Sequence, residues 1–268
     1  MPKQRLDLLL VERQHCQSRQ QAQRLIRAGE VKVDQQIVDK PGTTIDAAAV
    51  IELKARPPYV SRGGEKLAHA LAMFDLTVAG RLCLDGGIST GGFTDCLLKA
   101  GAAGVYGIDV GYGQVAWELR QDPRVVLKER TNLRYLEAVD LYGEAQPADL
   151  GVVDVSFISL VKVLPALARL LAPPQELILL VKPQFEVGKG QVGKKGVVRE
   201  AGDRAQAIAT VLAAASELGW QYRGLVTSPL TGPAGNIEYL LWLAATEATP
   251  LPTLAALQAL AAGERSQC

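Results

Sequence analysis

The chain has 268 residues, 48% of them apolar, and 29 basic against 28 acidic residues give a net charge of +1. That length suits one large domain and one small one, and the even balance excludes a protein that holds nucleic acid by overall charge alone. No apolar run approaches the roughly 18 residues a membrane span needs, and Arg5 and Asp7 stand where the apolar core of a signal peptide would begin. Residence in the cytoplasm is therefore expected. The four cysteines, Cys16, Cys83, Cys96 and Cys268, lack metal-ligand spacing, and His15 and His69 are too few for a typical zinc site. No metal is expected, and the thiols are expected to be reduced.

Leu6, Leu8, Leu9, Leu10 and Val11 predict a first short helix. A second opens at Ser18, with Gln21 three residues on as a capping box, carries Ala22, Leu25 and Ile26 on one stripe, and stops at Gly29. Val31-Lys32-Val33, a polar turn at Asp34-Gln35-Gln36 and Ile37-Val38 predict a hairpin, although the usual Asn-Gly is missing. Val50-Ile51-Glu52-Leu53 predicts a further strand. Between Met1 and Lys32, seven basic residues (Lys3, Arg5, Arg13, Arg19, Arg24, Arg27, Lys32) face three acids, Asp7, Glu12 and Glu30. Arg24 and Arg27 share a face of the second helix. A basic helix face beside a small sheet suits an RNA backbone; a plain solvated face is the alternative. The order Arg-Leu-Asp-x-x-Leu from Arg5, then Ser-Arg-x-x-Ala-x-x-Leu-Ile-x-x-Gly-x-Val-x-Val-Asp from Ser18, resembles the S4 RNA-binding domain over residues 5–53. The resemblance implies RNA contacts by Arg5, Arg19, Arg24, Arg27 and Lys32, and sets an α+β S4 domain at residues 1–55. Residues 56–60, Arg-Pro-Pro-Tyr-Val, form a linker stiffened by tandem prolines.

Ser61-Arg62-Gly63-Gly64-Glu65-Lys66-Leu67 opens a helix running to about Phe74. Leu82-Cys83-Leu84 is a buried strand ending in Asp85. Gly86, Gly87, Gly91 and Gly92 make a turn that lets backbone approach a ligand, and from Phe93 the spacing is helical to a stop at Gly101. Strand, glycine turn and helix open a doubly wound nucleotide-binding domain. Three ligands compete. A P-loop needs Gly-Lys-Ser/Thr, which is absent. A dinucleotide turn wants glycine where Ser89 stands. S-adenosylmethionine (SAM) carries an ammonium, which suits an acid at the strand end. Gly104 to Ile108 forms a second strand ending in Asp109, whose carboxylate can take ribose hydroxyls. SAM is favoured over NAD, and helix and turn capping is the plain alternative for both aspartates.

Val125-Val126-Leu127 is a third strand, followed by Glu129 to Asn132, where an adenine ring would be held. Leu150 to Val153 is a fourth, delivering Asp154; Leu177 to Val181 delivers Lys182-Pro183; and Glu238 opens a late apolar strand. In an open α/β sheet such strand tips form the site, so Asp154 and Lys182 are expected to converge, with Lys66 and Glu238 entering from the flanks. Two lysines and two acids suit methylation of a hydroxyl, a poor nucleophile that must lose its proton as it attacks. A free lysine is almost wholly protonated at neutral pH, so a catalytic one needs neighbours that tune it. The expected role of Lys182 is to accept the hydroxyl proton or stabilise the alkoxide, with Lys66 tuning it, Asp154 placing it beside the donor and Glu238 orienting the group. For each residue alone, a surface salt bridge is the plain alternative.

Lys66, Asp154, Lys182 and Glu238, in this order, resemble the tetrad of FtsJ-type RNA ribose 2′-O-methyltransferases. With Ser61-Arg62-Gly63, the run from Leu84 to Thr94, Asp109 to Gln114, Glu129 to Asn132, Ser156 to Leu160, Val181 to Glu186 and Gly235 to Tyr239, the chain resembles the TlyA family over residues 5 to about 245. The resemblance implies a Rossmann-like α/β methyltransferase domain at residues 61–247 with a seven-stranded sheet, SAM as cofactor, and cytidine 2′-O-methylation in ribosomal RNA of the large subunit and in some members the small one. It implies cofactor contacts by Asp85, Gly87, Ser89, Thr90, Gly91, Gly92, Phe93, Asp109, Asn132 and Asp154, and adds Arg62 and Lys189 to the RNA side. Gly188 to Arg199 reads as a flexible basic loop suited to phosphates. In the 248–268 tail, Leu254, Leu257 and Leu260 predict an amphipathic helix packed on the sheet. A monomer bound to ribosomal subunits is expected. The rival functions are an NAD-dependent oxidoreductase, an RNA-binding assembly factor without catalysis, and membrane lysis; the last is disfavoured because no long, strongly basic amphipathic segment exists.

Overall fold

A computed structural model of the chain describes residues 3–54, 57–246 and 250–263; the side chains of Lys189 and Lys194 also lie outside the described set. The chain divides into two compact units, Met1–Pro57 and Pro58–Cys268.

The first unit runs β1 (Lys3–Arg5), α1 (Leu6–Glu12), α2 (Arg19–Arg27), β2 (Val31–Val33), β3 (Gln36–Ile37), β4 (Thr44–Asp46) and β5 (Ile51–Leu53). Two small sheets form, β1 with β4, and β3-β2-β5. Leu6, Leu9, Leu10, Ala22, Leu25, Ile26 and Val31 make its core. Ser18 caps α2, its hydroxyl accepting from Gln21 N at 3.3 Å, while the Gln21 amide accepts from Gln17 N rather than closing a reciprocal box. The hairpin turn is two residues long: Val33 pairs with Gln36, and Asp34 and Gln35 both take positive φ, 48° and 68°. That is the backbone Asn-Gly would adopt. Asp34 holds it by exchanging bonds with Val50: its carboxylate accepts from Val50 N and its N–H donates to Val50 O, each at 2.9 Å.

The second unit runs α3 (Gly63–Phe74), β6 (Leu82–Gly86), α4 (Gly92–Lys99), β7 (Gly104–Ile108), α5 (Trp117–Arg120), β8 (Val125–Lys128), α6 (Ala138–Tyr142), β9 (Leu150–Val153), α7 (Leu164–Leu170), β10 (Glu176–Val181), α8 (Pro183–Glu186), α9 (Ala201–Glu217), β11 (Gln221–Thr227), β12 (Tyr239–Ala244) and α10 (Leu254–Ala262). The sheet order is β11-β12-β10-β9-β6-β7-β8. The five strands from β10 to β8 are parallel, and β12 enters antiparallel between β10 and β11. Strand β10 is buried along Leu177 to Val181, as a strand covered on both faces must be. Its alternate side chains divide: Leu177, Leu179 and Val181 join a core with α7, α9 and α10, and Ile178 and Leu180 join one with α3 and α4. Cys83 and Cys96 fill the second of these cores. In α10 the buried residues are Leu257 and Ala261, while Leu254 is half exposed; the helix packs chiefly on α9 and shares a core with the sheet residues Leu177, Leu179 and Val181. Pro58 to Val60, expected in the linker, belong to this unit: Lys99 Nζ donates to Pro58 O at 2.7 Å, and Val60 N donates to Asp95 Oδ2 at 2.9 Å. Ala55, Arg56 and Cys268 lie outside the described residues.

Candidate active site

The parallel strands deliver their C-terminal ends to one edge. Gly86 of β6 pairs with Val153 of β9, so Asp154 leaves its strand beside the glycine turn, and Asp154 N donates to Gly86 O at 2.9 Å. Lys182 leaves β10 next to it. The antiparallel register of β12 pairs Tyr239 with Val181, which sets Glu238 at the same edge as Lys182. Lys66 arrives from the first turns of α3, whose start abuts that of α4: a Cβ on Gly92 would meet Ser61 Oγ at 2.2 Å and Gly64 N at 2.9 Å.

All four expected charged residues line one cavity of about 340 Å³, together with Arg62, Thr90, Gly92 and Phe93. Lys182 Nζ lies 2.6 Å from Asp154 Oδ1, a close ion contact without hydrogen-bond alignment, and donates to Ser156 Oγ at 2.8 Å. Lys66 Nζ pairs with Glu238 Oε2, and the Glu238 side chain is 2% exposed. The tetrad is thus two ion pairs facing one space, not four surface bridges. Charges that far from water are paired because leaving one alone is costly.

A second cavity, about 450 Å³, is lined by Ile108, Asp109, Val110, Asn132, Leu133 and Val163 among others. It shares Gly87, Ser89, Asp154 and Ser156 with the first. The two spaces therefore meet where Asp154 and Lys182 stand. The turn between them needs glycine at Gly87, whose φ is 89° and whose added Cβ would sit 2.6 Å from Asp154 O. Ser89, also at positive φ (49°), turns its N–H toward Asp109 Oδ2 at 2.8 Å, and Asp109 Oδ1 accepts from Gly111 N at 2.7 Å. Asn132 accepts from Arg134 N at 3.1 Å and still faces the cavity.

Several expected cofactor contacts are placed differently. Asp85 is 0% exposed and lines neither cavity. Its Oδ2 accepts from the Thr94 hydroxyl at 2.7 Å, in the first turn of α4, so it caps that helix, and its Oδ1 has no hydrogen-bond partner among the described residues. Burial pushes its carboxyl up to about 7 despite the Thr94 bonds. Gly91 lines neither cavity; its φ of 96° and an added Cβ 2.3 Å from Leu119 explain the glycine by packing. Thr90, Gly92 and Phe93 line only the tetrad cavity, and Phe93 is buried against Gly63.

On the first unit, Arg5 and Arg19 reach Asp7 at 3.0 and 2.9 Å, and Gln23 joins at 2.9 Å. Asp7 is fully buried, and the Arg5 guanidinium beside it holds its carboxyl well below the usual carboxylate range. Both arginines thus fasten the fold as well as face solvent. Arg24, Arg27 and Lys32 are exposed and take part in no ion pair among the described residues. The Lys189 side chain lies outside the described residues, but its loop is less free than expected at its far end. Asn236 accepts from Val198 N at 3.0 Å and donates to Gly196 O at 2.8 Å, and buried Arg204 donates to Ala261 O at 2.7 Å and to Tyr239 Oη at 3.0 Å. Nothing in an alanine-rich helix signalled Arg204.

Sequence reasoning also passed over Phe157 and Glu186. Phe157 is 92% exposed at a φ of 63°, a conformation that strains a bulky residue by about 1–3 kcal/mol. Its turn is clamped by Glu186, which accepts from Ser159 Oγ at 2.6 Å and Leu160 N at 2.8 Å; burial raises the Glu186 carboxyl. A strained, exposed aromatic beside the site was legible only as one letter of a motif.

Residues 59–245 match the FtsJ-like methyltransferase family, and residues 4–51 match the S4 domain. The chain belongs to the TlyA group of FtsJ-like methyltransferases. It is 51% identical over 241 residues to the 16S/23S rRNA (cytidine-2′-O)-methyltransferase TlyA of Mycobacterium tuberculosis, covering 89% of each chain. It is 48% identical over 242 residues to a Bacillus subtilis protein provisionally named as the rRNA methyltransferase YqxC, covering 90% of this chain and 85% of that one. A solved Streptococcus thermophilus structure with a provisional hemolysin name is 42% identical and superposes with a TM-score of 0.74, covering 98% of this chain and 96% of the other. This FtsJ-like assignment sets aside the oxidoreductase reading of the glycine turn. Among the described residues, no helix is long and apolar enough to cross a membrane.

Proposed function

We propose that this FtsJ-like protein transfers a methyl group from SAM to the 2′-hydroxyl of a cytidine in ribosomal RNA. The supporting observation is the meeting of two cavities at Asp154, with Lys182 Nζ 2.6 Å from its carboxylate and the Lys66–Glu238 pair across the same space. The Asp109 cavity suits the nucleoside half of SAM. It offers apolar walls from Ile108, Val110, Leu133 and Val163 for a ring, and a carboxylate at the tip of β7 for hydroxyls. The bound cofactor would supply an electrophilic methyl group.

The chain's own groups do the rest. Lys182 Nζ is held by Asp154 and Ser156, where as the ammonium it can steady the acceptor oxygen, and as the neutral amine, having first given up a proton, it can take up the hydroxyl proton as the methyl–oxygen bond forms. Lys66 and Glu238 fix the far wall and keep the charge around the acceptor balanced. Placing the two reactants in line supplies much of the acceleration. Phe157 presents a free ring face beside Ser156, suited to a base drawn out of its stack. Arg62 stands at the cavity with its side chain exposed, and Arg24, Arg27 and Lys32 offer charge for phosphates.

The test is to incubate the protein and a Lys182→Ala variant with ribosomal subunits and labelled SAM. Label in RNA, at a nucleotide that resists alkaline cleavage, and lost in the variant, supports the reading. Label on a base or on protein, or transfer that survives in the variant, sinks it. No transfer by either protein leaves an RNA-binding assembly factor.

A further inference from the structure

Beside the cofactor cavity lies a separate open cleft of about 480 Å³, lined by Arg134, Phe157, Ile158, Ser159, Lys162, Gln184 and Phe185. It shares Phe157 and Ile158 with the cofactor cavity and none of its lining with the tetrad cavity. The rings of Phe157 and Phe185 lie 5.3 Å apart at 49°, and Lys182 Nζ is 5.9 Å from the Phe185 ring. The Phe185 ring thus borders the cleft within 5.9 Å of Lys182 Nζ. Arg134 and Lys162 are exposed, and neither takes part in an ion pair among the described residues. The side-chain oxygen of Gln184 has no hydrogen-bond partner among the described residues. Two aromatic faces, two cations without acids and an unpartnered amide oxygen match one unpaired nucleotide: a base to stack, a phosphate to neutralise, and an N–H or O–H to donate. The Phe157–Phe185 wall is fixed by Glu186, which bonds the Phe157 turn from the residue after Phe185.

Resting on the reading of the chain as an RNA methyltransferase, we propose that this cleft holds the nucleotide adjoining the methylated one. Its base stacks on the Phe185 side of the aromatic pair, and its phosphate lies between Arg134 and Lys162. The enzyme would thereby read an unpaired stretch of RNA rather than a single cytidine.

The test measures direct binding of a single-stranded pentanucleotide centred on cytidine to the full chain, intact or with the base removed from one neighbour of the centre at a time. Wild-type protein is expected to lose roughly tenfold in affinity when the base on one side is removed, and little on the other. Phe185→Leu, which keeps apolar bulk, should bind the intact RNA roughly tenfold more weakly and be indifferent to that removal, with SAM affinity and unfolding temperature unchanged. Lys162→Ala should reduce the salt dependence of binding by about one counterion. Equal binding of all the RNAs by wild type overturns the proposal, as does a Phe185→Leu protein still sensitive to the missing base. Binding is read without methyl transfer, so a protein that behaves as expected here yet methylates nothing overturns the proposed function and leaves the subsite standing.

Discussion

Replacing Gly87 by alanine should damage the enzyme more than its small size suggests, and the damage can be divided by comparison with Gly80→Ala. Both glycines have positive φ, 89° and 77°, so each alanine accepts a left-handed backbone at about 1–2 kcal/mol. Around Gly80 nothing lies within 4 Å of the added Cβ; at Gly87 the Cβ would sit 2.6 Å from Asp154 O and 3.0 Å from Asp154 C. A backbone carbonyl cannot swing aside as a side-chain tip can, so overpacking adds about 1–3 kcal/mol. Gly80→Ala should therefore cost about 1–2 kcal/mol and leave the site alone, while Gly87→Ala should cost about 2–5 kcal/mol. Because the clash pushes on Asp154, and Gly87 and Asp154 line both cavities, Gly87→Ala should also weaken SAM binding. Denaturant unfolding gives the first quantity and calorimetric titration with SAM the second. Equal stability losses in the two variants, or undiminished SAM affinity in Gly87→Ala, would refute the reasoning.

Asp85 should make the fold lose stability as pH rises from acid to neutral. Its folded carboxyl, at about 7, lies above an ordinary carboxylate, so its contribution is full below pH ~4 and is lost as pH rises through 7, by up to about 1.4 kcal/mol per unit. Asp85→Asn should therefore gain stability relative to wild type between pH 5 and 8; a difference that stays constant over that range would count against the buried, cap-holding role. Asp7 works in the opposite sense: its lowered carboxyl stabilises above the usual carboxylate range and ceases to do so in acid, so Asp7→Asn should lower the unfolding midpoint of the S4 unit by several degrees at pH 7 and progressively less toward pH 2, read by thermal scans. Removing the Glu186 clamp with Glu186→Ala leaves Leu160 N and the Ser159 hydroxyl without their acceptor, a loss of about 1–3 kcal/mol. Faster hydrogen exchange across 157–160 than across β10 is the signature to look for. Glu238→Gln keeps the shape of its pair with Lys66 but removes the charge; methyl transfer should fall about a hundredfold or more while SAM affinity holds, since Glu238 does not line the Asp109 cavity.

Much of this was legible in the chain of letters. Apolar runs ending in a carboxylate or lysine announced β6, β7, β9 and β10 and their functional tips, because a doubly covered strand must be continuously apolar and a polar residue must mark where it meets water. Ser18 and Gly29 bounded α2. Capping and contact were not separable from sequence: Asp85 and Asp109 end similar strands, yet one is sealed beneath α4 and the other faces a cavity. The difference lies in which helix end happens to cover each carboxylate.

The decisive undetermined quantity was direction. The letters around Glu238 state that a strand begins there, and nothing in them says which way it runs in the sheet. A parallel strand would have carried Glu238 to the edge away from Lys182. Pairing Tyr239 with Val181 in antiparallel register brings the start of β12 against the end of β10. The sequence thus determined which four charges the protein owns, and the sheet's long-range pairing determined that they share one cavity, because strand direction is set by contacts between segments dozens of residues apart rather than by anything local to either.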